Sequence, residues 1–273
     1  MLKSNSLNIH EKNGVTFLTF PLFDKYSVPH AFSTRLGGVS EGDTASMNFS
    51  FTLDKSAEAV RENFRRFSEA VGFDPEKLVL SQQTHTANIR KVTAQDFGKG
   101  VWRDRDYTDI DGLVTDTDAV LVTQYADCTP LLFYDTKKNI AATSHAGWRG
   151  TVQEIGRKAV DIMCRDYASD PADLIAAIGP SVGFCCYEVD DPVIEEINRL
   201  DYLDFSKCYT KKPNGKYMLD LREVNREILI NAGLRPENID VADLCTCCNA
   251  DFLHSHRKTG GKRGTLGAFI SKK

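Results

Sequence analysis

The chain has 273 residues, of which 41% are hydrophobic and 26% are charged, and its formal net charge is −4. This composition excludes a disordered or fibrous protein, and the lack of a basic surplus argues against nucleic acid as a partner. No apolar stretch approaches the roughly 20 residues that a membrane span requires, and the polar N-terminus does not resemble a signal peptide. We therefore expect a cytoplasmic protein without a membrane partner, whose eight cysteines are mostly reduced.

No repeat or linker divides the chain, so we expect a single domain over residues 1–273. Short apolar runs alternate with helical patterns, which predicts an α+β fold with mixed α and β layers and a mixed central sheet. In chain order, the predicted elements are a loop at residues 33–50, a helix at 56–71, strands at 79–85, 119–125, 130–135 and 140–145, a helix that begins near Thr151, a strand at 174–180, helices at 192–200 and 221–233, and strands at 239–246 and 266–271.

The segment HAGWRG, residues 145–150, interrupts the apolar pattern with two glycines. It predicts a tight junction between a strand and a helix. Thr151 would cap this helix, and Glu154, three residues later, would complete a capping box. Apolar residues from Val152 to Met163 then recur at helical spacing, so one face of the helix would pack on the core.

Three residues with metal-binding side chains, His85, Cys128 and His145, lie at or just after the ends of predicted strands. Imidazole and thiolate suit zinc, and three protein ligands with one open position are typical of catalytic zinc. Spacings of 43 and 17 residues match no local zinc motif. Without further information, these residues favour a second interpretation over a metal site. In it, Cys128 is a small buried side chain, and both histidines are ordinary hydrogen-bonded residues.

Two further sets of residues suggest binding sites. Cys245 and Cys248 have a C-x-x-C spacing, but no second such pair follows, and we expect buried, reduced cysteines. Cys185 and Cys186 are adjacent, and we expect them in the core and in a turn, because two neighbours rarely both join one small site.

Two arginines are candidates for binding an anion: Arg35 beside two glycines, and Arg149 before a predicted helix. For each, the alternative is a plain turn with a solvated arginine.

Taken together, ordered motifs along most of the chain resemble the laccase-domain family, also called the multicopper polyphenol oxidase or YfiH-like family. These motifs are FSTRLGGVS, SQQTH, DGLVTDTDAVLVTQYADCTPLL, SHAGWRGT, AIGPSVGFCCYEV, and a C-terminal CT followed by SHR and GKRG. The resemblance implies a layered α and β fold with a mixed sheet. It also implies that zinc is bound by His85, Cys128 and His145.

The resemblance further implies a purine nucleoside phosphorylase that cleaves adenosine, inosine, guanosine and 5′-methylthioadenosine with phosphate and also deaminates adenosine. In this hypothesis Arg149 and Arg35 hold phosphate, and Asp127 protonates or hydrogen-bonds the leaving base. Copper could occupy the zinc site adventitiously, since Cu²⁺ outcompetes Zn²⁺ for such ligands. The oligomeric state is not predicted.

Three alternatives stay open. The first is a cysteine hydrolase that edits peptidoglycan precursors, with Cys128 as nucleophile and His145 as base. The second is a copper-dependent polyphenol oxidase, although six histidines are few for a blue-copper site plus a histidine-rich cluster. The third is a zinc-binding scaffold without activity. We expect Cys128 to be a ligand and not a nucleophile, because the neighbouring Asp127 would raise the pKa of a free thiol.

Overall fold

The computed structural model describes residues 2–273. In chain order its strands are β1 (Asn8–Lys12), β2 (Val15–Thr19), β3 (His30–Ser33), β4 (Leu78–Leu80), β5 (Ile89–Lys91), β6 (Gly112–Thr115), β7 (Val120–Tyr125), β8 (Thr129–Asp135), β9 (Ile140–Ala146), β10 (Leu174–Ile178), β11 (Glu188–Val189), β12 (Tyr209–Lys211), β13 (Tyr217–Leu219), β14 (Ile239–Val241) and β15 (Leu266–Ile270). The α-helices are α1 (Pro21–Lys25), α2 (Ala57–Val71), α3 (Trp148–Val152), α4 (Ile155–Tyr167), α5 (Asp191–Asn198), α6 (Leu221–Asn231) and α7 (His256–Thr259).

The strands of residues 2–273 form two large mixed sheets and one small one. The first sheet has the order β1-β2-β3-β15-β7-β4, and the second has the order β14-β10-β8-β9-β6-β5. Strands β11, β13 and β12 form a separate antiparallel sheet. The prediction of mixed α and β layers is confirmed, but two six-stranded sheets replace the single central sheet.

The two large sheets pack face to face around a shared apolar core. Phe32 and Leu121 of the first sheet belong to the same buried cluster as Leu132 and Ile175 of the second. Helix α2 covers the other face of the first sheet, while α4 and α6 cover the other face of the second. The central strands are therefore buried on both faces, which explains their continuous apolar sequences.

Helix α2 confirms the predicted helix at residues 56–71. The Ser56 hydroxyl accepts a hydrogen bond from the Ala59 backbone N–H at 3.1 Å, and so caps the first turn. Gly72 ends the helix with a left-handed φ of 102°. The serine cap and the terminal glycine are each adjacent to the helix in the sequence, and the predicted boundaries agree with the structure.

The predicted cap at Thr151 is wrong. Gly147 is the N-cap residue of the short helix α3, and Thr151 lies inside that helix. There the Thr151 hydroxyl accepts a hydrogen bond from the Asn225 side chain at 3.0 Å. Helix α4 begins only after Glu154, whose φ of 58° turns the chain. A tertiary contact to α6 therefore replaces the local capping pattern.

The chain passes between the two large sheets four times, and two of these passages lie beside each other. Residues 81–88, the first crossover loop, connect β4 to β5, and residues 126–128, the second crossover loop, connect β7 to β8. The strand predicted at 79–85 ends at Leu80, so His85 lies in a turn with a φ of 66°. Within residues 2–273, no helix is long and apolar enough to cross a membrane.

Candidate active site

His85, Cys128 and His145, called here the His–Cys–His cluster, converge although they are far apart in the sequence. Their ligand atoms all lie within 4.8 Å of one another. The Sγ atom of Cys128 lies 3.9 Å from Nε2 of His85. His85 and Cys128 come from the two crossover loops, and His145 comes from the end of β9. The structure therefore brings together all three predicted metal ligands.

A buried carboxylate, Asp111, organises this cluster. Its Oδ1 accepts hydrogen bonds from Nδ1 of His145 at 2.8 Å and from the backbone N–H of His85 at 3.1 Å. Its Oδ2 accepts the backbone N–H groups of Thr84 at 3.0 Å and Thr86 at 2.9 Å. Because Nδ1 of His145 is engaged, Nε2 is the nitrogen left to face the cluster. A carboxylate behind a ligating histidine is common in metal sites.

The backbone beside the cluster leaves little free space. A Cβ atom on Gly147 would lie 3.1 Å from Sγ of Cys128 and 3.1 Å from the His85 ring, so any larger residue would press on both ligands. Asp127 has a φ of 85°, a left-handed conformation that aspartate tolerates better than most residues. This turn places Cys128 directly before β8, within reach of His145.

The cluster favours a thiolate beside an imidazolium. Burial opposes ionisation of Cys128, but the charge and hydrogen bonds of the two histidines outweigh it and lower the pKa of the thiol to about 6. Burial likewise opposes the charged form of His145, while the Cys128 thiolate and Asp111 raise the pKa of His145 to about 9. The expectation that Asp127 would raise the pKa of Cys128 is therefore wrong, since the histidines dominate.

Both oxygens of the Asp127 carboxylate are engaged by residues outside the His–Cys–His cluster. One oxygen accepts a hydrogen bond from the Thr246 hydroxyl, and the other accepts the backbone N–H of Arg257 at 2.6 Å. Each oxygen keeps a lone pair for a further donor. Asp127 therefore lies beside the cluster as an oriented hydrogen-bond acceptor.

The cluster opens into a cleft of about 630 Å³, within the usual size range of small-molecule sites. Three arginines line this cleft, Arg105, Arg257 and Arg263. Burial lowers the pKa of the Arg263 guanidinium, and its buried Nε has no hydrogen-bond partner among residues 2–273. Other residues that line the cleft are Ser50, Thr52, Gln82, Gln83, Gln124, Tyr187 and His256. An anion would find several hydrogen-bond donors there.

Neither arginine predicted to bind phosphate lines this cleft. The guanidinium of Arg35 donates hydrogen bonds to the backbone carbonyls of Ala45 and Ala250, and so joins two loops. Arg149 is exposed in α3, and its guanidinium lies 4.3 Å from the ring of Trp148. The local Gly-Arg pattern identified turns but could not indicate which way the side chains point.

The four residues Cys185, Cys186, Cys245 and Cys248, called here the four-cysteine cluster, also come together. Their Sγ atoms lie within 4.8 Å of one another. The expectation that Cys185 and Cys186 would not share one small site is therefore wrong. Their turn, directly before β11, directs both side chains towards Cys248.

The sequence reasoning missed Asp111 and the three arginines of the cleft. Asp111 begins the DGLVTDTD motif, and Arg257 and Arg263 lie in the SHR and GKRG motifs, so the motifs contained a signal for these three. Arg105 lies in WRDRD, a charged segment that resembles a solvated surface and carries no such signal.

The donor set of the His–Cys–His cluster fits a divalent metal. Two imidazoles and one thiolate are borderline-soft donors, and the cleft leaves the fourth side of the cluster open. These donors suit both zinc and copper, so the residues favour a metal site but do not distinguish between the two metals.

Known proteins share both this sequence and this fold. A family model described as multi-copper polyphenol oxidoreductase laccase matches residues 29–273. The purine nucleoside phosphorylase YlmD of Bacillus subtilis is 39% identical over 249 residues, which are 89% of this chain and 87% of that protein.

Two crystal structures have the same fold. The hypothetical protein YfiH of Bacillus licheniformis superposes with a TM-score of 0.92 and 35% identity, covering 98% of this chain and 100% of that chain. YlmD of Geobacillus stearothermophilus gives a TM-score of 0.89 at 33% identity, covering 98% of this chain and 99% of that one. This chain therefore belongs to the laccase-like YfiH/YlmD family.

Proposed function

We propose that this protein is a zinc-dependent purine nucleoside phosphorylase that acts on adenosine, inosine, guanosine and 5′-methylthioadenosine, and that it also deaminates adenosine. The observation that carries the proposal is the His–Cys–His cluster, held by Asp111 at the floor of a cleft lined by arginines. The similarity to the Bacillus subtilis phosphorylase supports it. Bound zinc would supply a Lewis acid at the floor of the cleft.

Phosphorolysis joins an oxygen of hydrogen phosphate to C1′ of the ribose and breaks the bond from C1′ to the purine nitrogen. The electron pair of that bond leaves with the base, which takes up the proton that hydrogen phosphate gives up. The protein must hold an anion close to C1′ and stabilise the leaving base. We assign phosphate binding to Arg105, Arg257 and Arg263, because these cations face the cleft, and not to Arg35 or Arg149. Asp127 would hydrogen-bond the purine with its free lone pairs.

The decisive experiment incubates zinc-loaded protein with adenosine, with and without phosphate, and separates the products by chromatography. We expect adenine and ribose 1-phosphate only when phosphate is present. Deamination would give inosine and ammonia in either case, since water replaces the 6-amino group. Cys128→Ala, which removes one ligand, is the control and should produce neither. No consumption of any of the four nucleosides by zinc-loaded protein would refute the proposal.

Arg263→Ala and Arg149→Ala form a matched pair for the anion site. Loss of a hydrogen bond to a charged group costs about 1.5–3 kcal/mol, so we expect the phosphate KM of the Arg263 variant to rise roughly 10- to 100-fold. Arg149 is exposed and outside the cleft, and its variant should keep the parental KM. If the phosphate KM rose only in the Arg149 variant, phosphate binding would be assigned to Arg149 and not to Arg263.

A cysteine hydrolase is a second candidate, favoured by one specific observation. Asp111 hydrogen-bonds His145, and His145 faces Cys128, which is the order of a nucleophile, its base and an orienting carboxylate. Here the Cys128 thiolate would attack a carbonyl carbon of a peptidoglycan precursor, and the amine would leave with a proton from His145. Water, deprotonated by His145, would then hydrolyse the thioester and release the thiolate. Iodoacetamide should alkylate Cys128 quickly in metal-free protein and slowly in zinc-loaded protein if Cys128 is a ligand. Equal rates, together with a trapped acyl-enzyme, would favour the hydrolase.

A further inference from the structure

The four-cysteine cluster is built from two chain segments that approach each other. Cys185 and Cys186 lie in the turn before β11, and Cys245 and Cys248 follow β14. Sγ of Cys248 lies 3.4 Å from Sγ of Cys185 and 3.4 Å from Sγ of Cys186. All four sulfur atoms lie within 4.8 Å of one another, so they surround a single small volume.

The spacing of these sulfur atoms fits one tetrahedral ion. A zinc–sulfur distance of about 2.3 Å places the sulfurs of a tetrahedral site about 3.8 Å apart. A disulfide would require about 2.05 Å between two of them. A cluster of several irons would separate the cysteines further, because inorganic sulfides lie between the metal ions. The observed spacings therefore favour a mononuclear site.

The backbone holds both segments in place. The Gly183 N–H donates a hydrogen bond to Sγ of Cys245 at 3.2 Å, and the Thr246 N–H donates to the Ser181 carbonyl at 3.0 Å. A Cβ atom on Gly183 would lie 3.1 Å from Cβ of Cys245, so glycine allows this close approach without displacing the cysteine. These contacts position the ligands before any ion binds, which reduces the entropy that binding would cost.

A cation lies beside the four-cysteine cluster. Nη2 of Arg222 would be 3.1 Å from a Cβ atom placed on Gly183, and Nη1 donates to the Ala242 carbonyl at 2.6 Å. Four thiolates around a divalent ion carry a net charge of −2. The fixed guanidinium of Arg222 would offset part of that charge.

We propose that Cys185, Cys186, Cys245 and Cys248 bind one structural zinc ion, separate from the His–Cys–His cluster. The four thiol protons pass to solvent as the ion binds. The ion would also fix a wall of the cleft: Thr246, between two of the ligands, hydrogen-bonds Asp127. This second site does not depend on the proposed function, because its tests measure metal and not turnover.

Elemental analysis of the full chain, after incubation with zinc and desalting, tests the stoichiometry. We expect Cys185→Ser/Cys248→Ser, whose two positions are exposed, to bind one zinc ion fewer per chain than the parent, whatever the His–Cys–His cluster binds. Cys247→Ser changes a cysteine in the same segment that is outside the four-cysteine cluster, and should keep the zinc content of the parent. Equal zinc content in the double variant and the parent would overturn the proposal.

Cobalt(II) spectroscopy tests the ligand set independently. In His85→Ala/Cys128→Ala, the remaining cobalt should give the intense bands of a tetrahedral tetrathiolate. Absence of these bands would overturn the proposal. A disulfide would also overturn it. The parent protein, isolated without reductant, would then have a mass lower by two hydrogens, and peptide mapping would locate the disulfide at Cys185 or Cys248.

Discussion

Replacing Asp111 by asparagine tests the role of the buried carboxylate. Asp111 accepts hydrogen bonds from the backbone of Thr84, His85 and Thr86, from the Thr86 hydroxyl and from the His145 ring. If the asparagine oxygen keeps the bonds to residues 84 and 86, its NH₂ group faces His85 N–H and His145. Two charge-assisted bonds are then lost, each about 1.5–3 kcal/mol. We expect a destabilisation of roughly 3–6 kcal/mol.

Urea unfolding of metal-free protein, followed by circular dichroism, measures this loss without a contribution from metal binding. Asp109→Asn is the matched control: Asp109 also accepts a hydrogen bond from Thr84, but it is exposed, and its φ of 56° suits asparagine. It should change stability by less than about 0.5 kcal/mol. Competition with a chelator should show a 10- to 100-fold weaker metal affinity for Asp111→Asn. A destabilisation below about 1 kcal/mol with unchanged metal affinity would refute this reasoning.

Three other predictions concern the core, the cluster and pH. Phe269 is fully buried, and Phe269→Ala should lower the free energy of unfolding by about 3–5 kcal/mol in urea titrations; a loss below 1 kcal/mol would contradict the packing. Gly147→Ala places a methyl group 3.1 Å from Cys128 and His85 and should reduce bound metal in elemental analysis while the fold persists; full metal content would contradict the close approach. Burial opposes ionisation of Asp96, but hydrogen bonds from Lys99, Thr93 and Arg90 outweigh it and hold the pKa of Asp96 below its ordinary value of 3.8. Its stabilising effect is therefore present above that value and lost as the pH falls below it, so Asp96→Asn should flatten the acid limb of the stability curve, and an unchanged slope would count against the salt bridges.

Elements with local signals were predictable from the sequence. Helix α2 has a serine cap and a terminal glycine, and β7, β8 and β9 are apolar runs separated by polar turns. The hairpin of β1 and β2 was missed although Asn13-Gly14, both with positive φ, is a typical two-residue turn. The division into two sheets could not be predicted, because strands buried on both faces have no alternation to indicate their partners.

The residues of the candidate site could be predicted where the side chain itself indicates metal binding. They could not be predicted where a residue acquires its role only through contacts that the fold creates. The His–Cys–His cluster followed from ligand type and family motifs. The function of Asp111 depends on hydrogen bonds to residues 25–34 positions away in the sequence, which no local pattern encodes. The four-cysteine cluster was missed for the same reason, since its two pairs are about 60 residues apart.

The position of the two crossover loops affects how a bound ion would exchange. His85 and Cys128 lie where the chain leaves the first sheet, and His145 ends a strand of the second sheet. Moving these ligands apart would require local unfolding, which has its own free-energy cost, whereas the cleft reaches the open side of the cluster without it. A chelator that enters the cleft would therefore remove the ion at a rate that rises with chelator concentration. The exchange rate would then report access through the cleft, and not the opening of the sandwich.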